Sequence, residues 1–372
     1  MTIRFGAILP DRMAIAAFCL LSLFLFCGGS RVSAQQYEVT NLVSDLPGLA
    51  KITDPNLVNA WGLSASATSP WWVANNGTGT STLYNGAGTK QALIVTVAGS
   101  ESPSNPTGIV FNGTSDFKLT AATNSQARFI FVNEDGTVSG WAPSLGNTTI
   151  IKSTSSTAIY KGVTIAQSGG ANFLYAADFS NGTVDVFNAN FAPVTLAAGA
   201  FTDPNLPEGF APFNVQNIDG DVYVSYAMQD EEKEDEIAGR KLGYVDVYDG
   251  SGTLLERFEN GPWMDAPWGL AVAPSGFGKA SGKLLVGMFG SGEIATFDPA
   301  TGDFTGLLRG SRGVPIEIDG LWALRFGNGA GSGPTTTLYF TAGIDDEAHG
   351  LFGTITPIPK TGNGPNGGDD DN

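Results

Sequence analysis

Short apolar runs separated by Gly, Pro, Asn and Asp recur along the whole chain. The clearest example spans residues 266–298, where apolar runs at Gly269–Ala273, Leu284–Gly287 and Ile294–Phe297 are separated by Gly-rich turns. Short runs rich in β-branched and aromatic residues, bounded by turn residues, are typical of strands joined by hairpins. This segment therefore predicts one blade of a β-propeller.

The same unit is found five more times, at a period of roughly 50 residues, which is typical of propeller blades. Each unit begins with a short first strand, continues through a second strand and a polar hairpin, and ends its third strand on an aromatic residue. The predicted first strands are Asn59–Ser64, Asn105–Val110, Tyr160–Ile165, Ala211–Val215, Gly269–Ala273 and Asp319–Leu324.

Outer fourth strands follow the first five units but not the sixth. They are predicted at Ala92–Val97, Thr149–Lys152, Pro193–Leu196, Leu254–Phe258 and Phe304–Leu308. A strand at Tyr37–Val43 has no partner near it in the sequence. Because β proteins avoid exposed strand edges, we expect residues 37–43 to complete the last blade and close the ring. The fold class predicted is an all-β, six-bladed β-propeller of four-stranded antiparallel blades.

Composition agrees with this fold and sets its boundaries. The chain has 50 Gly and 20 Pro among 372 residues, which is typical of many short strands and turns. We expect one propeller domain over residues 35–358 and a disordered acidic tail over residues 359–372. The acidic segment 229–243 lengthens the hairpin of the fourth unit and is predicted to be a solvated loop or a short helix.

The first 34 residues read as a signal peptide. Arg4 and Arg12 flank the apolar segment Met13–Phe26, and small residues precede a cleavage site after Ala34. We therefore expect export to the periplasm or the extracellular space. An alternative is a lipid anchor on Cys27, although the bulky residue before it does not suit such sites. No later apolar run approaches the roughly 18 residues of a transmembrane helix, so none is expected.

The charge of the chain restricts its partners. The formal net charge is −17, and removal of residues 1–34 leaves 16 basic and 35 acidic side chains, or −19. Such a surface repels phosphate backbones, which argues against nucleic acid as a partner.

Several motifs carry a resemblance to a known family. They are residues 37–45 (YEVTNLVSD), 53–59 (TDPNLVN), 61–64 (WGLS), 76–79 (NGTG), 209–214 (GFAPFN), 266–270 (APWGL) and 341–353 (TAGIDDEAHGLFG). Together they resemble an uncharacterised family of exported bacterial proteins predicted to be six-bladed propellers. Some members carry a C-terminal sorting and anchoring segment, whereas this chain ends in GGDDDN. The resemblance implies export and the propeller fold, and it brings no established activity.

Aromatic and polar residues are predicted to converge at one mouth of the ring. The loops before the first strands and the hairpins between second and third strands emerge on the same face of a propeller. We expect a pocket there for an unknown small molecule, glycan or protein, in which aromatic rings stack on the ligand. The alternative is that the aromatic residues pack between neighbouring blades. The candidate binding residues are Asn59, Trp61, Tyr160, Asn214, Asp265, Trp268, Asp319 and Trp322.

The hairpins supply oxygen ligands to the same face. Carboxylate and carboxamide oxygens suit Ca²⁺, so a calcium site is one interpretation. The alternative is ordinary turn chemistry at hairpin tips. The hairpins also contain Glu134 and Glu347, but the candidate metal ligands are Asn76, Asn133, Asp178, Asp230 and Asp346.

His349 is the only histidine, so a Ser-His-Asp arrangement would need it as the base. A structural role is the alternative. With one His, and with Cys19 and Cys27 both inside the predicted signal peptide, the sequence argues against zinc. Three hypotheses follow: a binding or scaffold protein, a calcium-dependent hydrolase resembling propeller lactonases, and a purely structural surface protein. Whether the chain is an enzyme is left open.

Overall fold

The computed structural model describes residues 35–119 and 125–359. The predicted signal peptide, with both cysteines, lies outside the described residues, as does the predicted tail from residue 360 onward. None of the described helices is long and apolar enough to span a membrane.

Six antiparallel sheets form the blades of a propeller, as predicted. The described chain begins with β1 (Tyr37–Ser44) and β2 (Ile52–Thr53), which belong to the last blade. The first blade contains β3 (Ala60–Ser64), β4 (Trp71–Asn75), β5 (Thr80–Tyr84) and β6 (Lys90–Thr96). The second contains β7 (Pro106–Phe111), β8 (Phe129–Asn133), β9 (Thr137–Trp141) and β10 (Ile150–Thr154). The third contains β11 (Tyr160–Ser168), β12 (Ala171–Asp178) and β13 (Thr183–Phe187).

The remaining blades follow the same order along the chain. The fourth contains β14 (Phe210–Ile218), β15 (Asp221–Gln229), β16 (Glu236–Ile237), β17 (Gly243–Tyr248) and β18 (Leu254–Arg257). The fifth contains β19 (Pro267–Val272), β20 (Leu284–Met288), β21 (Ile294–Phe297) and β22 (Phe304–Leu307). The sixth contains β23 (Leu321–Phe326), β24 (Leu338–Ile344) and β25 (His349–Pro357). Short 3₁₀ helices lie at Asn76–Thr78, Pro143–Leu145 and Gly278–Ala280.

The strand behind the predicted signal peptide closes the ring, which confirms the prediction. β1 pairs antiparallel with β25, from Tyr37 opposite Pro357 to Ser44 opposite Leu351. The buried Tyr37 hydroxyl also donates to the Phe277 carbonyl oxygen at 3.0 Å, which links this strand to the fifth blade. The last blade thus unites the two ends of the propeller domain.

Two local predictions need correction. The outer strand expected at 193–196 is reduced to a bridge between Phe187 and Pro193, followed by one hydrogen bond from Val194 N to Val186 O at 2.8 Å. Proline has no backbone N–H to extend a ladder, which limits this edge. The acidic segment 229–243 is also more ordered than a solvated loop, because β16 within it pairs with β15.

Every blade carries an irregularity near the start of its first strand. The pairing of first and second strands shifts register at the equivalent place in all six blades. Such bulges re-aim a side chain without ending the sheet. The first strands also approach each other closely, since a Cβ at Gly62 would lie 2.5 Å from the Thr107 carbonyl oxygen. The residues within the shifted segments include Trp61, Thr107, Lys161, Phe213, Trp268 and Trp322.

A repeated TDPNL motif ties loops to outer strands. It occurs at residues 53–57 and 202–206. The buried Asp54 accepts from the Tyr84 hydroxyl at 2.6 Å and from Lys90 Nζ at 2.7 Å. In the second copy, Asp203 forms an ion pair with Arg257. Each motif therefore anchors the loop that precedes a blade to the outermost strand of that blade.

Candidate functional site

Aromatic side chains from four blades meet on the ring axis, near the mouth formed by the loops before the first strands. The rings of Trp61 and Trp322 stack with centroids 3.6 Å apart, and Trp268 meets Trp322 edge-on at 5.8 Å. Phe213 contacts Trp322 at 5.7 Å, so blades that are not neighbours touch across the axis. The three Trp side chains are between 0% and 5% exposed. This burial favours the packing interpretation of these residues over open platforms for a ligand.

Lys161 occupies the same repeat position in the third blade. It is only 1% exposed, and its Nζ lies 5.2 Å from the Trp61 ring centroid. Nζ pairs with Glu134 Oε1 at 2.6 Å and with Asp235 Oδ1 at 3.1 Å. Burial by itself lowers the pKa of Lys161, but Glu134, Glu236 and Asp235 outweigh it and hold the pKa above its usual value. The ammonium group is therefore charged inside an aromatic surrounding.

Two asparagines connect this lysine to the tryptophans. Asn76 Nδ2 donates to Glu134 Oε2 at 2.8 Å, and its Oδ1 accepts from Asn59 Nδ2 at 3.3 Å. Asn59 Nδ2 also donates to a Glu347 carboxylate oxygen, while Asn59 Oδ1 accepts from Trp322 Nε1 at 3.2 Å. The hydrogen bonds form one continuous network across the mouth of the ring.

Two half-buried carboxyl groups in this region have raised pKa values. Burial raises the pKa of Glu236 to about 8; nearby Lys161 opposes this rise and Glu347 adds to it. Burial likewise raises the pKa of Glu347. The pairing of β16 with β15 is what brings the acidic segment to the ring mouth. We use the term mouth cluster for Asn59, Asn76, Glu134, Lys161, Asp235, Glu236 and Glu347.

A polar groove adjoins the mouth cluster between the second and third blades. Its volume is about 460 Å³, within the range of small-molecule sites. Glu134 belongs to both the cluster and the groove. The lining of the groove consists of carboxylates, hydroxyls, an amide and two apolar residues, and it contains no Lys or Arg. The lining residues are Glu134, Asp135, Ser156, Thr157, Ala158, Ile159, Ser180, Asn181 and Glu234. We call it the upper groove.

Three of the other four predicted binding residues bond to backbone groups, and Tyr160 bonds to another side chain. Asn214 Nδ2 donates to the Trp268 carbonyl oxygen at 2.7 Å, which links two first strands. Asp265 Oδ1 accepts from Gly239 N at 2.6 Å, and Asp319 Oδ2 accepts from Asp345 N at 2.8 Å. The Tyr160 hydroxyl donates to Asp185 Oδ2 at 2.8 Å. None of these four has a hydrogen bond to a residue of the mouth cluster within the described part of the chain.

The predicted calcium ligands are dispersed among separate loops. Asn76 belongs to the mouth cluster, whereas Asn133 Nδ2 donates to Thr137 Oγ1 at 2.6 Å. Asp178 Oδ2 accepts from Asn181 Nδ2 at 2.7 Å, Asp230 Oδ1 accepts from Glu234 N at 3.0 Å, and Asp346 is exposed with φ 50°. No hydrogen bond joins any two of these five. Across residues 35–119 and 125–359, no group of three or more His, Cys, Asp or Glu could hold a metal ion. The calcium site stays a prediction.

His349 lies where β25 meets β1. Its Nδ1 is 2.7 Å from Asp45 Oδ2, and Asp45 Oδ1 accepts from Gly350 N at 2.8 Å. No hydroxyl of a described Ser or Thr is hydrogen-bonded to its ring. The histidine therefore connects the closing strand to the last blade, and a catalytic role stays a prediction.

Sequence reasoning missed the centre of the mouth cluster. Lys161 is the one charged residue at a repeat position that otherwise holds Trp, Phe or Thr, and an alignment of the six units shows this contrast. Glu134 and Glu347 stand beside Asn133 and Asp346, the residues that the sequence predicts as metal ligands. The involvement of Asp235 and Glu236 had no local signal, because it depends on where the acidic segment folds.

Comparisons with known proteins identify relatives of unknown activity. No protein-family model matches the chain. Uncharacterized protein R648 of Acanthamoeba polyphaga mimivirus is 31% identical over 342 residues, which cover 88% of this chain and 82% of R648. Uncharacterized protein L690 of the same virus is 30% identical over 356 residues, which cover 91% of this chain and 90% of L690. These relatives are viral, so they do not support the bacterial origin that the resemblance implied.

Solved structures show a similar fold. A streptogramin B lyase has a TM-score of 0.53 at 10% identity, covering 87% of this chain and 98% of its own. The soluble aldose sugar dehydrogenase of Escherichia coli has a TM-score of 0.52 at 13% identity, covering 87% and 100%. At such low identity these likenesses establish the propeller fold alone.

Proposed function

Because this chain belongs to one family with the uncharacterised mimivirus proteins R648 and L690, we propose its function from the site itself: it is a propeller that binds a small molecule in the upper groove. The ligand would present hydrogen-bond donors, either sugar hydroxyls or an ammonium group. The mouth cluster would hold the wall of the groove in place.

The pairing of buried Lys161 with Glu134 carries this proposal. A buried ion pair is a poor way to gain stability, since apolar replacements are often neutral or stabilising. Four other blades place Trp or Phe at the position of Lys161, so the fold itself does not require a charge there. Next to the groove, Lys161, Glu236 and Glu347 of the mouth cluster have shifted pKa values, which is a common feature of functional sites.

Glu134 connects the network to the groove. One of its oxygens accepts from Lys161 and the other accepts from Asn76. An ionised carboxylate offers about four acceptor sites, which leaves about two for a ligand. Because the lining of the upper groove contains acceptors and hydroxyls but no cation, a donor-bearing ligand fits it better than an anion.

The test compares two chemical panels on the same protein. Neutral mono- and oligosaccharides form one panel, and di- and polyamines form the other. A ligand that binds the native state raises the melting temperature, and calorimetry then gives its affinity. Loss of a hydrogen bond to a charged group should weaken binding about tenfold or more in E134Q.

The matched control is E38Q, which removes the same charge from an exposed position on β1. It should bind as the wild type does. If neither panel raises the melting temperature of the wild-type protein, a structural role becomes the better explanation. Equal affinity of E134Q and wild type would place the ligand elsewhere.

We also propose that residues 1–34 are a signal peptide and that the protein acts in the periplasm or outside the cell. The support is the basic and apolar pattern of that segment together with its small-residue cleavage site. N-terminal sequencing after expression in a bacterium should find Gln35 at the start of the exported chain. An intact Met1 would contradict the proposal, and a lipid on Cys27 would support the alternative anchor.

A further inference from the structure

Arg325 lies toward the end of the axis opposite the mouth cluster. It follows Trp322 on β23, near the end of that strand. By contrast, two other partly buried cations are paired with acids: Lys90 with Asp54, and Arg257 with Asp246. No hydrogen bond or ion pair joins the Arg325 guanidinium to any described residue. In a chain with 36 acidic and 19 basic residues, this isolation needs an explanation.

Arg325 lines a pocket of about 160 Å³. No Asp or Glu is among its lining residues. It lies where the ends of β3 and β23 meet the start of β4, and we call it the basal pocket. It is lined by Ser64, Ala65, Trp71, Arg325, Phe326, Asn328 and Ser332.

Further donors belong to the same lining. Trp71 is 2% exposed, and its indole Nε1 has no hydrogen-bond partner among residues 35–119 and 125–359. Ser64 Oγ accepts from Phe111 N at 3.0 Å, and Ser332 Oγ accepts from Asn328 N at 2.9 Å. Neither hydroxyl donates its own proton to another described group, so both protons are free for a ligand.

The charge of Arg325 persists at neutral pH. Burial lowers its pKa to about 10, and no nearby carboxylate acts against that effect. An arginine held charged without a partner is unfavourable unless something else satisfies its donors. A negatively charged ligand would satisfy them.

We propose that the basal pocket binds a small oxyanion, with Arg325 as the bidentate donor. The planar guanidinium matches the paired oxygens of phosphate, sulfate and carboxylate. The volume is about five times that of a water molecule, enough for a tetrahedral oxyanion with some hydration. This site is separate from the upper groove, which lacks cations and favours donor-bearing ligands.

Titration calorimetry and thermal melts with inorganic phosphate, sulfate and acetate test the proposal, with chloride at matched ionic strength as reference. At least one oxyanion should raise the melting temperature of the wild type above the chloride reference. The same anion should bind R325Q about tenfold or more weakly, because a charge-assisted bidentate contact is lost. R325K, which keeps the charge but loses the planar fork, should lie between the two.

Controls separate this site from charge effects and from the upper groove. R312Q removes an exposed positive charge and should bind the anion as the wild type does. E134Q should also keep anion binding, so that failure at one site is not mistaken for failure at the other. R325Q should fold at least as stably as the wild type without anion, since it removes an unpaired half-buried charge.

Two results would overturn the proposal. One is the absence of any anion-specific effect on the wild type at concentrations in the tens of millimolar. The other is equal anion binding by R325Q and wild type. If R325Q fails to fold, R325K and W71F provide the test, because both should weaken anion binding. R325K keeps the charge and the length of the side chain, and W71F keeps an aromatic ring without the indole N–H.

Discussion

Lys161 shows how one residue can set the character of a site. Its ammonium group is enclosed by aromatic rings and by carboxylates from two other parts of the chain, Glu134 and Asp235. Removing one partner of a buried pair leaves the other charge uncompensated. The energetic consequence is therefore larger than the net value of the pair itself.

Replacing Lys161 by Met should destabilise the protein by about 3–5 kcal/mol, the range observed when a buried ion pair loses one partner. Urea unfolding measures this change. The double variant K161M/E134Q should recover part of the loss, because it removes the stranded carboxylate as well. K283M, at a partly exposed pair with Asp298, is the control and should change stability by less than about 1 kcal/mol. A similar small effect for K161M would contradict the buried role.

Glu236 makes stability depend on pH. Burial raises its pKa in the folded protein to about 8, above the usual value of 4.5. As pH rises between these values, the unfolded chain releases this proton while the folded chain keeps it. The stabilisation is therefore fully present at low pH and is lost as pH rises through the folded pKa.

Between pH 5 and pH 8, we expect the melting temperature of the E236Q variant to fall less than that of the wild type. Thermal melts across that range give the comparison. Asp246, whose pKa burial raises to about 7, contributes equally to both proteins and cancels in the difference. Parallel pH profiles would show that Glu236 is not protonated in the folded state.

At the scale of elements, the Asp side chains of the two TDPNL motifs link loops to outer strands. Asp54 is 1% exposed and accepts hydrogen bonds from Tyr84 and Lys90. Asp203 and Arg257 form the equivalent link in the fourth blade. Outer strands have only one neighbour in their sheet, so such side-chain links help to keep them paired.

Substituting Asp54 by Ala should destabilise the domain by about 1–3 kcal/mol, because the buried Tyr84 hydroxyl loses its acceptor. Denaturant unfolding provides the measurement. Y84F/D54A should lose little beyond D54A alone, since the unsatisfied hydroxyl is then absent. D298A, at a partly exposed turn where Asp298 pairs with Lys283, should destabilise the domain much less. An effect of D54A no larger than that of D298A would rule out the anchoring role.

At the scale of the whole molecule, the ring gathers loops from six blades onto one face. The predicted calcium ligands occupy this face but form separate local contacts. A shared metal would have to draw them together, and Lys161 already supplies a positive charge to Glu134. The calcium-dependent hydrolase hypothesis therefore depends on a measurement of metal binding.

If a calcium site forms, Ca²⁺ should raise the melting temperature of protein treated with a chelator, since a ligand of the native state stabilises it. The rise should be lost in N76A, the candidate ligand that lies in the mouth cluster, and kept in N190A, which is exposed and lies outside the candidate ligands. Unchanged melting temperature with Ca²⁺ would reject this hypothesis. Mg²⁺ at the same concentration controls for general screening by divalent ions.

Much of the propeller could be predicted because its information is local. Strands show as short apolar runs, turns show as Gly, Asn and Asp, and a repeat of these signals counts the blades. The closing role of β1 could also be predicted. The first strand has no partner near it in the sequence and the last blade lacks an outer strand, so pairing the two satisfies both. The outer strand at 193–196 failed as a prediction because edge pairing depends on the backbone donors that a proline interrupts.

The sequence by itself determined the number of blades, their order and the way the ring closes. Only the tertiary structure decided that tryptophans fill the axis, that Lys161 meets Glu134 and Asp235 across 27 and 74 residues of chain, and that Arg325 meets no acid in the described part of the chain. The physical reason is the distance along the chain over which each kind of interaction acts. Strand and turn preferences act between neighbours in the chain, whereas the partners of a buried charge are set by which blades the closed ring brings together.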